Sequence, residues 1–191
     1  MNTARMEAFT DGVMAVAITI MVLDMKVPAG ADLASLTASA PIFLAYGLSY
    51  ANVAIFWNNH HHMLHASEQV DGRVLWANLF LLFWITLIPF VLRWIDETRI
   101  APLPTAAYGV VLAMAAVGYL WLERAIIAVN GPDSKLAAAV GSDRKAIVSL
   151  VLYAAAIVLA FVSPWIAAAI YLGNAMIWFI PDRRIEARLK A

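Results

Sequence analysis

Apolar residues along this chain run in long blocks, at residues 4–25, 41–64, 73–95, 105–129, 145–162 and 165–180. A helix needs roughly 17–25 predominantly apolar residues to cross a hydrocarbon core, so the pattern predicts six transmembrane helices. The last two blocks are short and separated only by Ser163 and Pro164, which predicts a tight helical hairpin. Proline suits such a turn or a first helical position, where its missing N–H removes no intrahelical bond. Pro28, Gly30, Pro102, Pro104, Gly131 and Pro132 punctuate the other connections. The blocks lack the period-two alternation of an outer-membrane barrel. No linker divides the chain, and no repeat relates the first three blocks to the last three, which counts against an inverted-repeat transporter. The pattern reads as an all-α integral membrane protein, a single six-helix transmembrane domain over residues 1–191.

Composition agrees. Of the 191 residues, 63% are hydrophobic and 14% charged, against roughly 45–50% apolar residues in soluble domains. The formal net charge is zero, which argues against a nucleic-acid partner bound through a broad basic face. The absence of cysteine excludes disulfides, thiolate metal sites and cysteine nucleophiles. Glu7 and Asp11 interrupt the region where a signal peptide would be basic and then apolar, so the first block reads as a retained helix. With the N-terminus in the cytoplasm, the cytoplasmic loops and tail hold Arg5, Arg73, Arg124, Lys135, Arg144, Lys145, Arg183, Arg184, Arg188 and Lys190. Only Lys26, Arg93 and Arg99 fall outside. This bias predicts a multi-pass cell-membrane protein with both termini cytoplasmic.

The first helix concentrates the unusual chemistry. Arg5, Glu7, Thr10 and Asp11 precede an uncharged run from Gly12 to Leu23, and Asp24 and Lys26 follow it. Ionisable groups at mid-bilayer cost roughly 2.5–3.5 kcal/mol each on insertion scales, so they carry partners or a task. On a helical wheel Gly12, Val16, Thr19 and Leu23 share a sector of about 60°, with Ile20 at its edge, while Thr10 and Asp11 lie more than about 100° from Val16. Several copies of that apolar sector would form a hydrophobic constriction closed by dewetting, with the Thr19 hydroxyl offered to a partly dehydrated cation. Ordinary helix packing is the alternative, and the wheel alone favours it. Asp11, turned from the sector, is expected to pair within the subunit with Arg5, a histidine or a tryptophan N–H.

All four histidines fall between His60 and His65 on the second helix. His61 and His65, four apart, have the spacing of a weak divalent-metal chelate, but without a third ligand they read better as donors to buried acceptors at a polar helix end. A proton-sensing role stays open. On the third helix, Asn78 is expected to hydrogen-bond across helices and Pro89 to kink the helix or free a carbonyl. Trp76, Trp84, Trp94, Trp121, Trp165 and Trp178 read as packing or interfacial anchors. No nucleophile–base pair, phosphate loop or paired-carboxylate site is legible, so the sequence does not read as an enzyme.

Three passages together resemble the family of the lysosomal and endosomal potassium channel, transmembrane protein 175, and especially its single-repeat bacterial members. They are Arg-x-x-x-Phe-Thr-Asp-Gly-Val from Arg5 to Val13, Trp-Asn-Asn-His-His from Trp57 to His61, and the run from Asn78 to Phe90. The resemblance implies a homotetramer of six-helix subunits around one central pore lined by each subunit's first helix. It implies passive conduction of monovalent cations with potassium favoured, no cofactor beyond the permeant ion, and constriction residues at Val16, Thr19 and Leu23. It also implies that Arg5, Phe9, Thr10 and Asp11 brace the pore helix, with Trp57, His60, His61 and Asn78 as their partners. Thr10 replaces the signature serine and keeps its hydroxyl. Val16 stands where the family has a larger isoleucine or leucine, which implies a wider constriction. Two other readings compete: a proton-coupled secondary transporter using Asp11 and the histidine cluster, and a metal-binding or oxidoreductase subunit using the histidines.

Overall fold

The computed structural model describes residues 3–140 and 144–179, and among them all regular structure is helical. The elements are α1 (Thr3–Leu23), α2 (Leu33–Ala38), α3 (Ala40–His65), α4 (Gly72–Thr86), α5 (Ile88–Glu97), α6 (Pro102–Asn130), α7 (Lys135–Val140), α8 (Arg144–Leu159) and α9 (Pro164–Phe179). Every predicted block contains a helix, with Ile180 of the last block outside the described residues. Four segments are long and apolar enough to cross a membrane: α1, α3, the α4–α5 pair taken together, and α6. The chain is thus a multi-pass, all-helical membrane protein. Within the described residues, α8 and α9 have 16 residues each, about 24 Å at ~1.5 Å per residue, against the ~30 Å hydrocarbon core.

Local chemistry sets the boundaries. Asp71 caps α4, its carboxylate accepting from the Arg73 N–H at 2.9 Å and the Val74 N–H at 3.1 Å, two of the donors a helix start leaves unmet. The third predicted span is one stack broken at Leu87. Pro89 cannot donate to the carbonyl four residues back, so the Leu87 N–H turns to the Trp84 carbonyl at 3.2 Å and the Thr86 hydroxyl to the Phe83 carbonyl at 2.8 Å. Helix α6 runs to Asn130 and stops at Gly131, whose φ of 91° suits a residue without Cβ. Asn130 then ties the α3–α4 loop to α6. Its Oδ1 accepts from the Glu68 and Gln69 N–H groups, each at 3.0 Å, and its Nδ2 donates to the Gln69 carbonyl at 3.0 Å.

Helices α4 and α6 form the centre of the bundle. Leu81, Ile85, Leu112, Ala115 and Leu122 are fully buried there. Helix α1 packs on one flank against α3, α4 and α5, and the α8–α9 hairpin packs on the other against α6 and α3. The α4–α6 crossing is close because Gly118 faces the α4 backbone. A methyl group at Gly118 would stand 2.9 Å from the Leu81 Cα, a contact relieved only by moving backbone. The substitution Gly118→Ala is therefore expected to destabilise the subunit by about 1–3 kcal/mol, in the range of core overpacking. Thermal unfolding of the detergent-solubilised protein measures it, and an unchanged Tm would show that the two helices separate freely.

Candidate ion pathway

Two faces of α1 have opposite fates. Met6, Thr10, Met14, Ala17 and Met21, spaced four, four, three and four, are buried against the bundle. The opposite face carries Gly12, Val16, Thr19 and Leu23, all exposed, with Val16 at 57% and Leu23 at 76%. Thr19 donates its hydroxyl to the Ala15 carbonyl at 2.8 Å, which satisfies its proton inside the helix and leaves oxygen lone pairs directed outward. The three constriction residues expected from the sequence thus share one largely exposed stripe that no described residue covers. Ile20, Val22 and Phe9 are exposed beside it. An open groove of about 760 Å³ between α1 and the α4–α5 break is lined by Phe9, Gly12, Val16, Ile20, Pro89 and Phe90 among others.

The side of α1 that meets α3 and α4 is held by hydrogen bonds. Trp57 Nε1 donates to Asp11 Oδ1 at 2.8 Å, which selects the tryptophan among the donors expected for Asp11. One turn nearer the start of α1, Glu7 Oε1 meets His61 Nδ1 at 2.8 Å. Glu7 and Asp11 are four apart on α1, and Trp57 and His61 are four apart on α3. Antiparallel helices bring such spacings into register, so the two bonds are successive rungs of one ladder. The His61 ring lies between Trp57 and His65, with centroids 6.2 and 6.0 Å away. Its Nδ1 faces Glu7 and its ring stacks on His65, and among the described residues no group of three or more His, Cys, Asp or Glu converges on one point.

Below the ladder runs a buried chain. Asn78 Nδ2 donates to Thr10 Oγ1 at 3.0 Å, and Asn78 Oδ1 lies 2.9 Å from His60 Nε2. Because the amide oxygen can only accept, His60 carries its proton on Nε2. Nδ1 is left as a buried acceptor with no partner among the described residues. Thr10, Asn78 and His60 are all buried, so three helices meet through polar groups shielded from lipid and water.

Arg5 and Phe9 stand outside this network. Arg5 is exposed and makes no hydrogen bond or ion pair among the described residues, and Phe9 is 53% exposed on the groove. Among the described residues, neither takes part in the hydrogen bonds that join α1 to α3 and α4. Glu7 is the network residue that the sequence reading left out of the site, although its four-residue spacing from Asp11 matches that of Trp57 and His61. At the far end of α1, Asp24 lies 3.7 Å from Arg93 and Lys26 lies 3.8 Å from Asp96, which pins the helix to α5.

A membrane helix anchored on one side by polar rungs presents its other, apolar stripe to whatever lies outside the subunit. Comparison with known proteins identifies the family. The family model described as endosomal/lysosomal potassium channel TMEM175 matches residues 5–89, which holds the whole ladder. A curated potassium channel of Chryseobacterium sp. is 47% identical over 190 residues, covering 100% of this chain and 99% of that protein. The human endosomal/lysosomal proton channel TMEM175 is 35% identical over 96 residues, 44% of this chain and 19% of that protein. Among solved structures, the crystal structure of a lysosomal potassium-selective channel TMEM175 homolog from Chamaesiphon minutus matches with a TM-score of 0.79 and 26% identity, covering 94% of this chain and 97% of that one. The chain belongs to the TMEM175 channel family. Its relatives are channels, and it is not an enzyme.

The buried chain should be the costlier part of the network to break. The substitution Asn78→Leu leaves the His60 Nε2–H and the Thr10 hydroxyl without their partner, at roughly 1–3 kcal/mol for each unmet group. It is expected to lower the thermal stability of the purified protein more than Trp57→Phe, which cuts a half-exposed bond. Equal shifts for the two variants would contradict the ranking.

Proposed function

We propose that this chain is the subunit of a passive, potassium-favouring cation channel in the cell membrane. Four copies of a six-helix subunit surround one central pore, and α1 of each copy lines it with Val16, Thr19 and Leu23. The observation that carries this reading is the uncovered α1 stripe, opposite the buried methionine face, in a chain 47% identical along its whole length to a potassium channel. Among the described residues no polar interior face is long enough to carry a hydrated ion through one subunit, so the path is expected between copies. Rings of Val16 and Leu23 form the hydrophobic constriction, and the outward lone pairs of Thr19 meet the ion between them. Arg5 and Phe9, uncovered in the single subunit, face the neighbouring copy. The short α8 and α9 complete the six spans as a hairpin around Ser163 and Pro164, and the 94% coverage of this chain by a solved channel of the family supports counting them. Both termini then lie in the cytoplasm, in keeping with the Lys and Arg bias.

The proton-coupled carrier is the second reading, and the proton-channel name of the human relative gives it some weight. Against it, Asp11 is engaged by Trp57 and His61 by Glu7, so the groups it needs are committed to holding helices together.

Bilayer recording in asymmetric potassium and sodium tests the proposal. Unitary currents reversing on the potassium side are expected with no second substrate, whereas strictly coupled, saturable flux without unitary events would support the carrier. Within the channel, Thr19→Val removes one hydroxyl contact worth about 1 kcal/mol and should cut potassium conductance roughly fivefold, while Leu23→Ala should raise it. Asp11→Asn should reduce tetramer yield on size exclusion more than it changes ion preference. Normal assembly with reversed preference would sink that division of roles.

A further inference from the structure

The face of α3 turned from α1 borders a groove that the ion pathway does not use. Leu44 and Leu48 on that face lie about 140–180° around the helix from Trp57 at ~100° per residue. Helices α3, α5, α6 and α9 enclose the groove, whose volume is about 510 Å³, within the roughly 300–1,000 Å³ of small-molecule sites. Its α3 wall runs from Pro41 to Ala51, about 15 Å at ~1.5 Å per residue, or half of the ~30 Å hydrocarbon core. The groove has the length of one leaflet.

Its floor offers only hydrocarbon. Ser49 donates to the Ala45 carbonyl at 2.9 Å, so the Tyr108 hydroxyl, 3.0 Å from Ser49 Oγ, donates to it. Thr105 donates to the Ala101 carbonyl at 2.9 Å, and Tyr171 to the Thr105 carbonyl at 3.1 Å. Among the described residues no charged side chain lines the groove. With its polar groups met internally, the floor suits an alkyl chain and gives a headgroup nothing to bind.

The rim differs. Ile100 lines the groove, and Arg99 beside it in the chain is exposed. These two residues have φ of 61° and 51° and close α5 in a Schellman turn. The Arg99 N–H donates to the Asp96 carbonyl at 3.2 Å and the Ile100 N–H to the Ile95 carbonyl at 2.9 Å. Glycine is the usual residue where Arg99 stands, because a Cβ is disfavoured at positive φ. The carboxylates at this end are taken: Glu97 and Asp24 lie 3.0 and 3.7 Å from Arg93, and Asp96 lies 3.8 Å from Lys26. Arg99 makes no ion pair among the described residues. A guanidinium fork matches the paired oxygens of a phosphate.

We propose that the groove is a phospholipid site. One acyl chain, from a lipid in the leaflet on the side of the α5–α6 loop, lies between α3, α5 and α9, and the phosphodiester pairs with Arg99. Hydrocarbon contact selects poorly among membrane components, since every lipid tail competes for it, so the phosphate supplies the preference. Asp24, Asp96 and Glu97 at this end balance Lys26, Arg93 and Arg99, which gives an anionic headgroup no general advantage over a zwitterionic one.

The test is native mass spectrometry of the full chain, delipidated in detergent and titrated with palmitoyl-oleoyl phosphatidylcholine, the matching phosphatidylglycerol or the matching diacylglycerol. One phospholipid per subunit is expected to stay bound, equally for the two headgroups and roughly tenfold more tightly than the diacylglycerol. Arg99→Gly suits the left-handed backbone, so it should leave the Tm in detergent undiminished while lowering both phospholipids to the diacylglycerol level. Gly47→Leu adds bulk on the groove wall where a Cβ meets nothing within 4 Å, and should displace all three lipids. Equal retention of phospholipid and diacylglycerol, unchanged binding by Arg99→Gly, full binding by Gly47→Leu, or a neighbouring subunit seated in the groove in a nanodisc structure would overturn the proposal. Lipid retention is read without ion flux, so the site stands or falls apart from the channel reading.

Discussion

The structure depends on how the polar side of α1 is held. A helix that leaves Val16, Thr19 and Leu23 uncovered cannot be kept in place by apolar packing on that face, and in a bilayer apolar contact distinguishes poorly between a helix neighbour and a lipid tail. The hold comes from directional bonds. Glu7 meets His61 and Asp11 meets Trp57 as successive rungs, and Thr10 joins Asn78 and His60 in the buried layer behind them. Each bond requires a particular partner at a particular height, so together they fix both the rotation and the register of α1. Rotation decides which residues face outward. Charges at one end of the helix thereby determine where the uncharged stripe points.

The rest of the bundle supports that arrangement. Gly118 lets α6 approach the Leu81 backbone of α4, which carries Asn78. Asn130 closes the loop between α3 and α4 from the end of α6, so the two helices that supply the partners of α1 are tied to the same central element. The break at Leu87 and Pro89 opens a groove beside α1, and Asp24 and Arg93 close the far end of that contact. The α8–α9 hairpin lies behind α6 and does not take part in holding α1.

The fold class and the positions of the four long spans were legible in the sequence because the length of an apolar run is a local property set by bilayer thickness. The Ser163–Pro164 turn and the interruption at Pro89 were legible for the same reason, since proline acts on its own helix. The stripe was legible too, because residues at helical spacing share a face whatever surrounds them. Less could be read about partners. For Asp11 three kinds of donor stood open, and only the placement of α3 selected Trp57. Glu7 was passed over although its spacing matched, because four-residue spacing shows which residues are neighbours on one helix and nothing of what the helix faces.

By itself the sequence determined that this is a helical membrane protein whose first span carries a charged end and a quiet face. Tertiary structure alone decided that no described residue covers the quiet face, that Arg5 and Phe9 make none of the hydrogen bonds joining α1 to α3 and α4, and that Glu7 makes one of them. It also decided which nitrogen of His60 carries the proton. The physical reason is range. Hydrophobic length and helical periodicity act within one segment, whereas a hydrogen bond in a membrane is made between segments, and its partner is defined only once the helices have packed.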